Sequence, residues 1–197
     1  MFSGIIQHLG RIESISLHGT TKRFEIASPM ASHLRVDQSL CHDGVCLTVV
    51  ENSESLHAVD VVQETLSKTT FDTLDIGHHV NLEKSISLNT LLDGHLVQGH
   101  VDTTLECLDK KDLHGSWHFT FRLRDQFTSL VIPHGSICLN GVSLTIARLT
   151  TDLVEVAIIP YTFQHTNFQY LKPGDHVNVE FDLIGKYIAQ QTKKPGR

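Results

Sequence analysis

The sequence predicts an all-β protein made of two homologous small barrels in tandem, followed by a short C-terminal α-helix. Three observations predict it. The chain repeats itself at a spacing near 97 residues. Each copy is dominated by β-branched runs bounded by tight-turn dipeptides. Helix-type patterning stands alone only near the end.

The repeat is dense. Residues 39–50, SLCHDGVCLTVV, fall on residues 136–147, SICLNGVSLTIA, at an offset of 97 with six identities in twelve positions. Average residue usage gives about one match in such a window. The same offset carries Thr65 onto Thr162, Phe71 onto Phe168 and Gly77 onto Gly174, and aligns GHHVNLE (77–83) with GDHVNVE (174–180). Nearer the start, FSGII (2–6) lies on VQGHV (97–101) at an offset of 95, which places a two-residue insertion in one copy. Such a period is far longer than a solenoid unit of roughly 20–50 residues, so each copy is a domain. The expected division is 1–95, with residues 88–95 as a bridge, then 96–185, then a tail at 186–197.

In chain order, MASHL (30–34) suits a short helical turn. Asp43–Gly44 then marks a two-residue hairpin, because such a turn needs positive φ at its centre. GVCLTVV (44–50) and HAVDVV (57–62) are strand runs, and Gly77 marks another tight turn. The second copy repeats the series: a helical turn at RDQFTSL (124–130), a hairpin at Asn140–Gly141, strands at GVSLTIA (141–147) and LVEVAII (153–159), and a turn at KPGD (172–175). Strands every ten residues or so with few helices argue for a barrel in each half. DLIGKYIAQQ (182–191) reads as the isolated helix.

Composition narrows the function. The 197 residues are 40% hydrophobic and 19% charged, with a formal net charge of −6 and no basic run before the terminal KKPGR. Binding a polyphosphate backbone needs clustered basic side chains, so nucleic acid is not expected as a partner. No apolar run approaches the roughly 20 residues that span a bilayer, and MFSGIIQHLGRIESI has no signal-peptide pattern. No membrane association is expected, and the location read from this is cytoplasmic. Cys41, Cys46, Cys107 and Cys138 are then expected as reduced thiols. The 14 histidines are scattered without metal-ligand spacing, so no metal site is expected.

Side chains alternate along a strand, so Cys46 and Thr48 share one face after the first turn, while Val45, Leu47 and Val49 share the other. Ser143 and Thr145 repeat that pair in the second copy. A solvated outer face is the plain explanation for one strand. The recurrence, and the poor fit of cysteine to a solvent-facing position, favour a ligand pocket in each barrel.

MFSGII (1–6), DGVCLTV (43–49), ETLSKTTF (64–71), VNLEKS (80–85), GHLVQGHVD (94–102), NGVSLTI (140–146) and VNVEFD (177–182), in that order, resemble the riboflavin synthases built from lumazine-binding domains. The resemblance runs from residue 1 to about residue 190. It implies two six-stranded Greek-key barrels and a transferase reaction. Two molecules of 6,7-dimethyl-8-ribityllumazine would dismutate, by transfer of a four-carbon unit, into riboflavin and a 5-amino-6-ribitylaminouracil, as the last step of riboflavin biosynthesis. It also implies no cofactor, a homotrimer whose reacting pair lies between barrels of neighbouring subunits, and association with lumazine synthase.

By the same resemblance the N-terminal pocket would use Gly4, Ile5 and Ile6, with Ser39, Cys46, Leu47 and Thr48 of the hairpin. The stretch Asp60, Val61, Val62, Gln63, Glu64 and Thr65 would continue its wall, and Gly99, His100 and Val101 would touch the same ring system. The C-terminal pocket would use His134, Ser143, Leu144 and Thr145, then Ile159, Pro160, Tyr161, Thr162, Phe163 and Gln164. Phe2 would wedge beside the reacting rings. His100 would orient or deprotonate a nucleophile, Ser143 and Thr145 would position one, Cys46 would act as nucleophile or polar contact, and Asp182 would supply a carboxylate or merely cap the tail helix. Donor and acceptor play different chemical parts, so the symmetry must break, and Cys46 against Ser143 and His100 against Ile5 are where it does.

A non-catalytic lumazine- or flavin-binding antenna protein of the same superfamily is the alternative; the survival of polar residues in both copies favours catalysis. A flavin-dependent reductase is excluded by the absence of a Gly-rich strand–turn–helix motif.

Overall fold

The computed structural model describes residues 1–89 and 91–192. Thr90 of the expected bridge and residues 193–197 of the expected tail lie outside the described residues. The first repeat contains strands β1 (His8–His18), β2 (Thr21–Ala27), β3 (Ser39–His42), β4 (Val45–Asn52), β5 (Leu56–Val61) and β6 (His79–Lys84), with a short helix α1 (Gln63–Leu66) after β5. The second contains β7 (Thr103–Asp112), β8 (Trp117–Arg122), β9 (Ser136–Leu139), β10 (Val142–Leu149), β11 (Leu153–Ile158) and β12 (His176–Phe181), with α2 (Pro160–His165) after β11. Helix α3 (Leu183–Thr192) follows. The expected helical turns are 3₁₀ turns at Ala31–His33 and Asp125–Leu130.

Each repeat closes into a barrel in the order β1-β2-β5-β4-β3-β6 and, six strands on, β7-β8-β11-β10-β9-β12. Every pairing is antiparallel, and closure leaves no open edge among these strands. The all-β tandem expected from the sequence is the observed architecture.

Irregularities recur as faithfully as strands. The bulge at Val49/Glu51 has its twin at Ile146/Arg148, and the bulge at Ile12/Ser14 has its twin at Cys107/Asp109. Bulges bend a strand and increase its twist, which closing a six-stranded barrel requires. The two cores match as well. Phe24 meets Phe71 edge-on at 5.2 Å in one barrel, and Phe119 meets Phe168 edge-on at 5.2 Å in the other.

The doubled hairpin turn joins the barrels. Asp43 and Gly44 have φ of 47° and 81°, and Asn140 and Gly141 have 45° and 79°. These are the positive values that a two-residue turn between paired strands demands. The two turns cross each other: a Cβ on Gly44 would stand 2.9 Å from the Gly141 nitrogen, and one on Gly141 would stand 2.8 Å from the Gly44 nitrogen. Only glycine permits that approach.

Buried amides surround the crossing. Asn81 donates from Nδ2 to the Asn140 carbonyl at 2.8 Å, and Asn178 donates from Nδ2 to the Asp43 carbonyl at 2.9 Å. Asp43 accepts from the Asn81 backbone N–H and from Asn167 Nδ2, at 2.7 and 2.9 Å. Phe2 and Val97 complete the junction as an isolated antiparallel bridge, packed fully buried with Cys41 and Cys138. All four cysteines are free thiols.

Two features break the symmetry inside the fold. Burial pushes the Asp43 carboxyl up to about 8, whereas its twin Asn140 is neutral at every pH. In the first barrel His42 and His57 are buried with their Nε2 atoms 2.8 Å apart, and among the described residues His57 Nδ1 has no partner. The second barrel has Leu139 and Val154 at these positions.

Opposite pH dependences follow. Burial holds His57 down at about 4, and burial together with His57 holds His42 well below its ordinary value. The unfolded chain therefore binds more protons than the native state as pH falls below 6.5, and stability declines toward a pH of about 4. A H42L/H57V variant, carrying the twin's residues, will flatten that acid decline in urea unfolding followed across pH. The Asp43 carboxyl binds its proton more tightly when folded, so its contribution declines as pH rises from 3.8 to about 8. D43N will remove that decline and gain about 1–3 kcal/mol over the parent at the alkaline end of the same titration.

Candidate active site

Two equivalent grooves form where each repeat's leading segment crosses onto the other barrel. Residues 97–101 leave the second repeat and run along β4, where Cys46 donates its N–H to the Gly99 carbonyl at 2.9 Å. Residues 2–6 leave the first repeat and run along β10, where Ser143 donates its N–H to the Gly4 carbonyl at 2.8 Å. Gly99 (φ 82°) and Gly4 (φ 78°) press their backbones onto the small side chains of Cys46 and Ser143. A Cβ on Gly99 would lie 2.5 Å from Cys46 Cβ, and one on Gly4 would lie 2.6 Å from Ser143 Cβ.

A buried carboxylate from each segment's own repeat holds it in place. Glu83 accepts from the Ser3 N–H, the Ser3 hydroxyl and the Gly4 N–H at 2.7, 2.7 and 3.0 Å. Glu180 accepts from the backbone N–H groups of Gln98, Gly99 and His100 at 2.7, 2.8 and 2.8 Å. Burial raises both carboxyl pKa values, and the donated hydrogen bonds oppose that rise.

The first groove is a cavity of about 240 Å³ lined by Val45 and Cys46 of β4, Glu64, Thr65, Lys68 and Thr69 around α1, and Gly99, His100 and Val101 of the crossing segment. Cys46 is half-buried and Thr48 is exposed on the same face of β4. Thr65 is positioned by a capping bond, its carbonyl accepting from the Thr69 hydroxyl at 2.8 Å.

At the second groove Ser143 is half-buried and Thr145 exposed on β10, and the Thr162 carbonyl accepts from the Thr166 hydroxyl at 2.7 Å. The bridge supplies the remaining polar group. His95 lies with Nδ1 2.7 Å from Ser143 Oγ, and its own N–H donates to the Ser3 carbonyl at 3.1 Å. Burial lowers the His95 pKa while the charge of Asp182 raises it, and the balance lies below the ordinary histidine value. Asp182 also accepts the Ile184 N–H at 2.9 Å in the first turn of α3, so it is both a cap and a neighbour of this imidazole.

Several expected site residues lie elsewhere. Gly4, Ile5 and Ile6 belong to the second groove rather than the first, because the leading segment crosses over; Ile6 packs against the second barrel's core. Phe2 is fully buried at the junction, packed with Val97, Cys41 and Cys138. Strand alternation turns the side chains of Leu47, Val61 and Leu144 into the cores. Asp60 faces outward in a two-pronged pair with Arg23, at 2.8 and 3.1 Å. Phe163 stacks on Trp117 at 3.8 Å and packs against the second core.

The others stand nearer the grooves. Ser39 is exposed and registers opposite Thr48. Val62 and Gln63 are exposed where their carbonyls start α1, and Ile159 and Pro160 repeat this at α2. Tyr161 is exposed and stacked on His165, the Gln164 carbonyl accepts from Gln169 Nε2, and His134 is exposed at φ 62° with its N–H on the Ile146 carbonyl. The sequence reading missed His95, Lys68, Thr69 and both segment-holding glutamates. Glu83 and Glu180 were visible as an identity in the aligned GHHVNLE and GDHVNVE; His95 has no counterpart in the other copy to draw attention to it. Among the described residues no group of three or more His, Cys, Asp or Glu is placed to hold a metal ion.

Known proteins match this chain in sequence and in fold. A family model described as the lumazine binding domain matches twice, at residues 3–85 and 98–182. The chain is 37% identical over 200 residues to a riboflavin synthase of Bacillus amyloliquefaciens, covering 98% of this chain and 93% of the relative. It is 35% identical to a riboflavin synthase of Actinobacillus pleuropneumoniae, covering 99% and 92%. Crystal structures of LumP superpose over 92% of this chain and 99% of theirs. The complex with 6,7-dimethyl-8-(1'-D-ribityl) lumazine gives a TM-score of 0.84 at 25% identity, and the riboflavin complex gives 0.86 at 26%. With two lumazine-binding domains and relatives of this identity along nearly its whole length, the chain belongs to the riboflavin synthase family.

Proposed function

We propose that the chain is a riboflavin synthase, converting two molecules of 6,7-dimethyl-8-ribityllumazine into riboflavin and 5-amino-6-ribitylaminouracil. The observation that carries this reading is the pair of grooves of one design with unequal polar groups. A cysteine and an imidazole serve the first, and a hydroxyl–imidazole pair serves the second. Two identical heterocycles held in related grooves can react with each other, and unequal groups let one donate while the other accepts. The transfer needs no oxidant, because the four-carbon unit that one ring loses the other gains. A binder that only holds a flavin has no use for a hydroxyl–imidazole pair in the second groove.

Orientation of the two rings supplies much of the rate in such a reaction. The remaining work is proton removal at the C7 methyl of one lumazine and addition of a nucleophile at C7 of the other. His95, held below its ordinary pKa, is neutral at neutral pH and suited to take the Ser143 hydroxyl proton, or that of a water bound there. His100 faces the first groove from its crossing segment and is suited to the other proton transfer.

The assembly read from the family resemblance is a homotrimer in the cytoplasm. Supporting it, α3 exposes Ile184, Tyr187 and Ile188 at 67, 66 and 60% of their surface. Such an apolar face on a terminal helix is what a neighbouring subunit covers. No helix among the described residues is long and apolar enough to cross a membrane.

Riboflavin will accumulate when the purified chain is incubated with 6,7-dimethyl-8-ribityllumazine, read by absorbance and fluorescence; ligand binding with no riboflavin formed defeats the synthase reading. H95Q and H100Q will each lose roughly 10²–10⁴-fold in turnover while riboflavin titration changes far less. The acid limb of turnover assigned to His95 will lie below pH 6.5, and D182N, which removes the charge that raises this pKa, will shift it lower still. Sedimentation at micromolar concentration will give about three times the 22.0 kDa chain mass; a fully active monomer overturns the trimer.

A further inference from the structure

We propose that Lys186 is a positioning residue: through its ion pair with Asp102, helix α3 braces the crossing segment that presents His100 to the first groove. This rests on the reading of that groove as part of the synthase site.

Lys186 Nζ lies 2.6 Å from Asp102 Oδ2, and both side chains are about three-quarters buried, at 23 and 25% exposure. Asp102 is fixed on both sides. Its Oδ2 accepts the Phe181 N–H at 2.9 Å, and its own N–H donates to the Val179 carbonyl at 2.8 Å. Two residues earlier, His100 donates its N–H to Glu180, and the Lys186 charge also acts on that carboxylate, opposing the effect of burial. One ammonium group on α3 therefore pairs with Asp102 at one end of the segment and acts electrostatically on Glu180, the carboxylate that holds residues 98–100.

The other repeat shows that this charge pair is not needed merely to build such a segment. At the 95-residue offset Asp102 corresponds to Gln7, and Gln7 Oε1 makes the equivalent contact, accepting the Lys84 N–H at 3.0 Å. A neutral amide is sufficient there. The position matching Lys186 at the 97-residue offset is Asn89, an exposed and uncharged residue of the bridge. The ion pair thus belongs only to the segment that carries an imidazole, and its twin, which carries Ile5, does without one. A partly buried pair with additional hydrogen bonds restricts position more than an exposed pair does.

The test compares K186M, D102Q and K186R with the parent as full-length chains. In K186M and D102Q, backbone amides of Gln98, Gly99 and His100 will exchange hydrogen faster, while those of Ser3 and Gly4 on the twin segment keep their rates. The same two variants will lose roughly 10- to 100-fold in kcat with KM changed less than about threefold, and K186R will recover most of the loss. Faster exchange confined to α3, with residues 98–100 unchanged, makes the pair a simple helix anchor and overturns the brace. Should the parent chain bind lumazine yet form no riboflavin, the synthase reading fails on that result. The exchange rates of residues 98–100 then decide the brace by themselves.

Discussion

The approach of Gly44 to Gly141 is the contact on which the other features depend. Two hairpin turns meet backbone to backbone, closer than any side chain allows. That crossing fixes the two barrels about an approximate two-fold relation. It places the Asn81 and Asn178 amides within reach of the opposite turn, so that each repeat satisfies buried carbonyls of the other. It also leaves room for the Phe2–Val97 bridge, from which each leading segment passes to the other barrel. Each groove therefore has one wall from its own β-strand and one from the opposite repeat. Neither barrel encloses a complete groove by itself.

A frame this symmetric makes every difference between the copies informative. The barrel interiors differ at His42 and His57 against Leu139 and Val154, and the turns differ at Asp43 against Asn140. The groove walls differ at Cys46 against Ser143 and at His100 against Ile5. The segment anchors differ at Asp102 against Gln7. The last two differences occur within three residues of each other on one segment. The differences inside the barrel and at the junction alter stability with pH, whereas those on the segments alter what a bound ring meets. Duplication supplies two sites at once, and divergence at a few positions is enough to make them chemically distinct.

The fold was legible because its signals are local. Asp43–Gly44 and Asn140–Gly141 announce two-residue turns, β-branched runs announce strands, and the 97-residue offset announces two domains. Strand alternation also separated Cys46 and Thr48 from the core-facing Val45, Leu47 and Val49. The family resemblance already placed Gly99, His100 and Val101 on the first barrel; what the sequence did not supply was the matching exchange of the other leading segment. Nothing in FSGII or VQGHV records whether the segment stays on its own barrel or crosses. Gly4, Ile5 and Ile6 accordingly stand beside the second barrel, and Phe2 stands in the junction. Asp60 misled in a simpler way: it stands in a matched stretch, but its partner is Arg23, reached only by the β2–β5 register.

Two independent requirements converge on residues 46 and 143. The backbone of Gly99 or Gly4 lies against the Cβ of each, which leaves little room on that side of the residue. The open side of the same residue faces the groove and presents a thiol in one copy and a hydroxyl in the other. Cysteine and serine satisfy both requirements, and alanine or valine would satisfy at most one. Packing thus explains why these positions are small, and only chemistry explains why both are polar. The bridge then resolves the difference between them: His95 is 2.7 Å from the Ser143 hydroxyl, whereas the imidazole offered to Cys46 arrives on a crossing segment held by carboxylates. In the second groove the imidazole and the hydroxyl are joined directly by a hydrogen bond. In the first groove the imidazole is set by the position of a segment held by Glu180, and anything that moves the segment moves the imidazole.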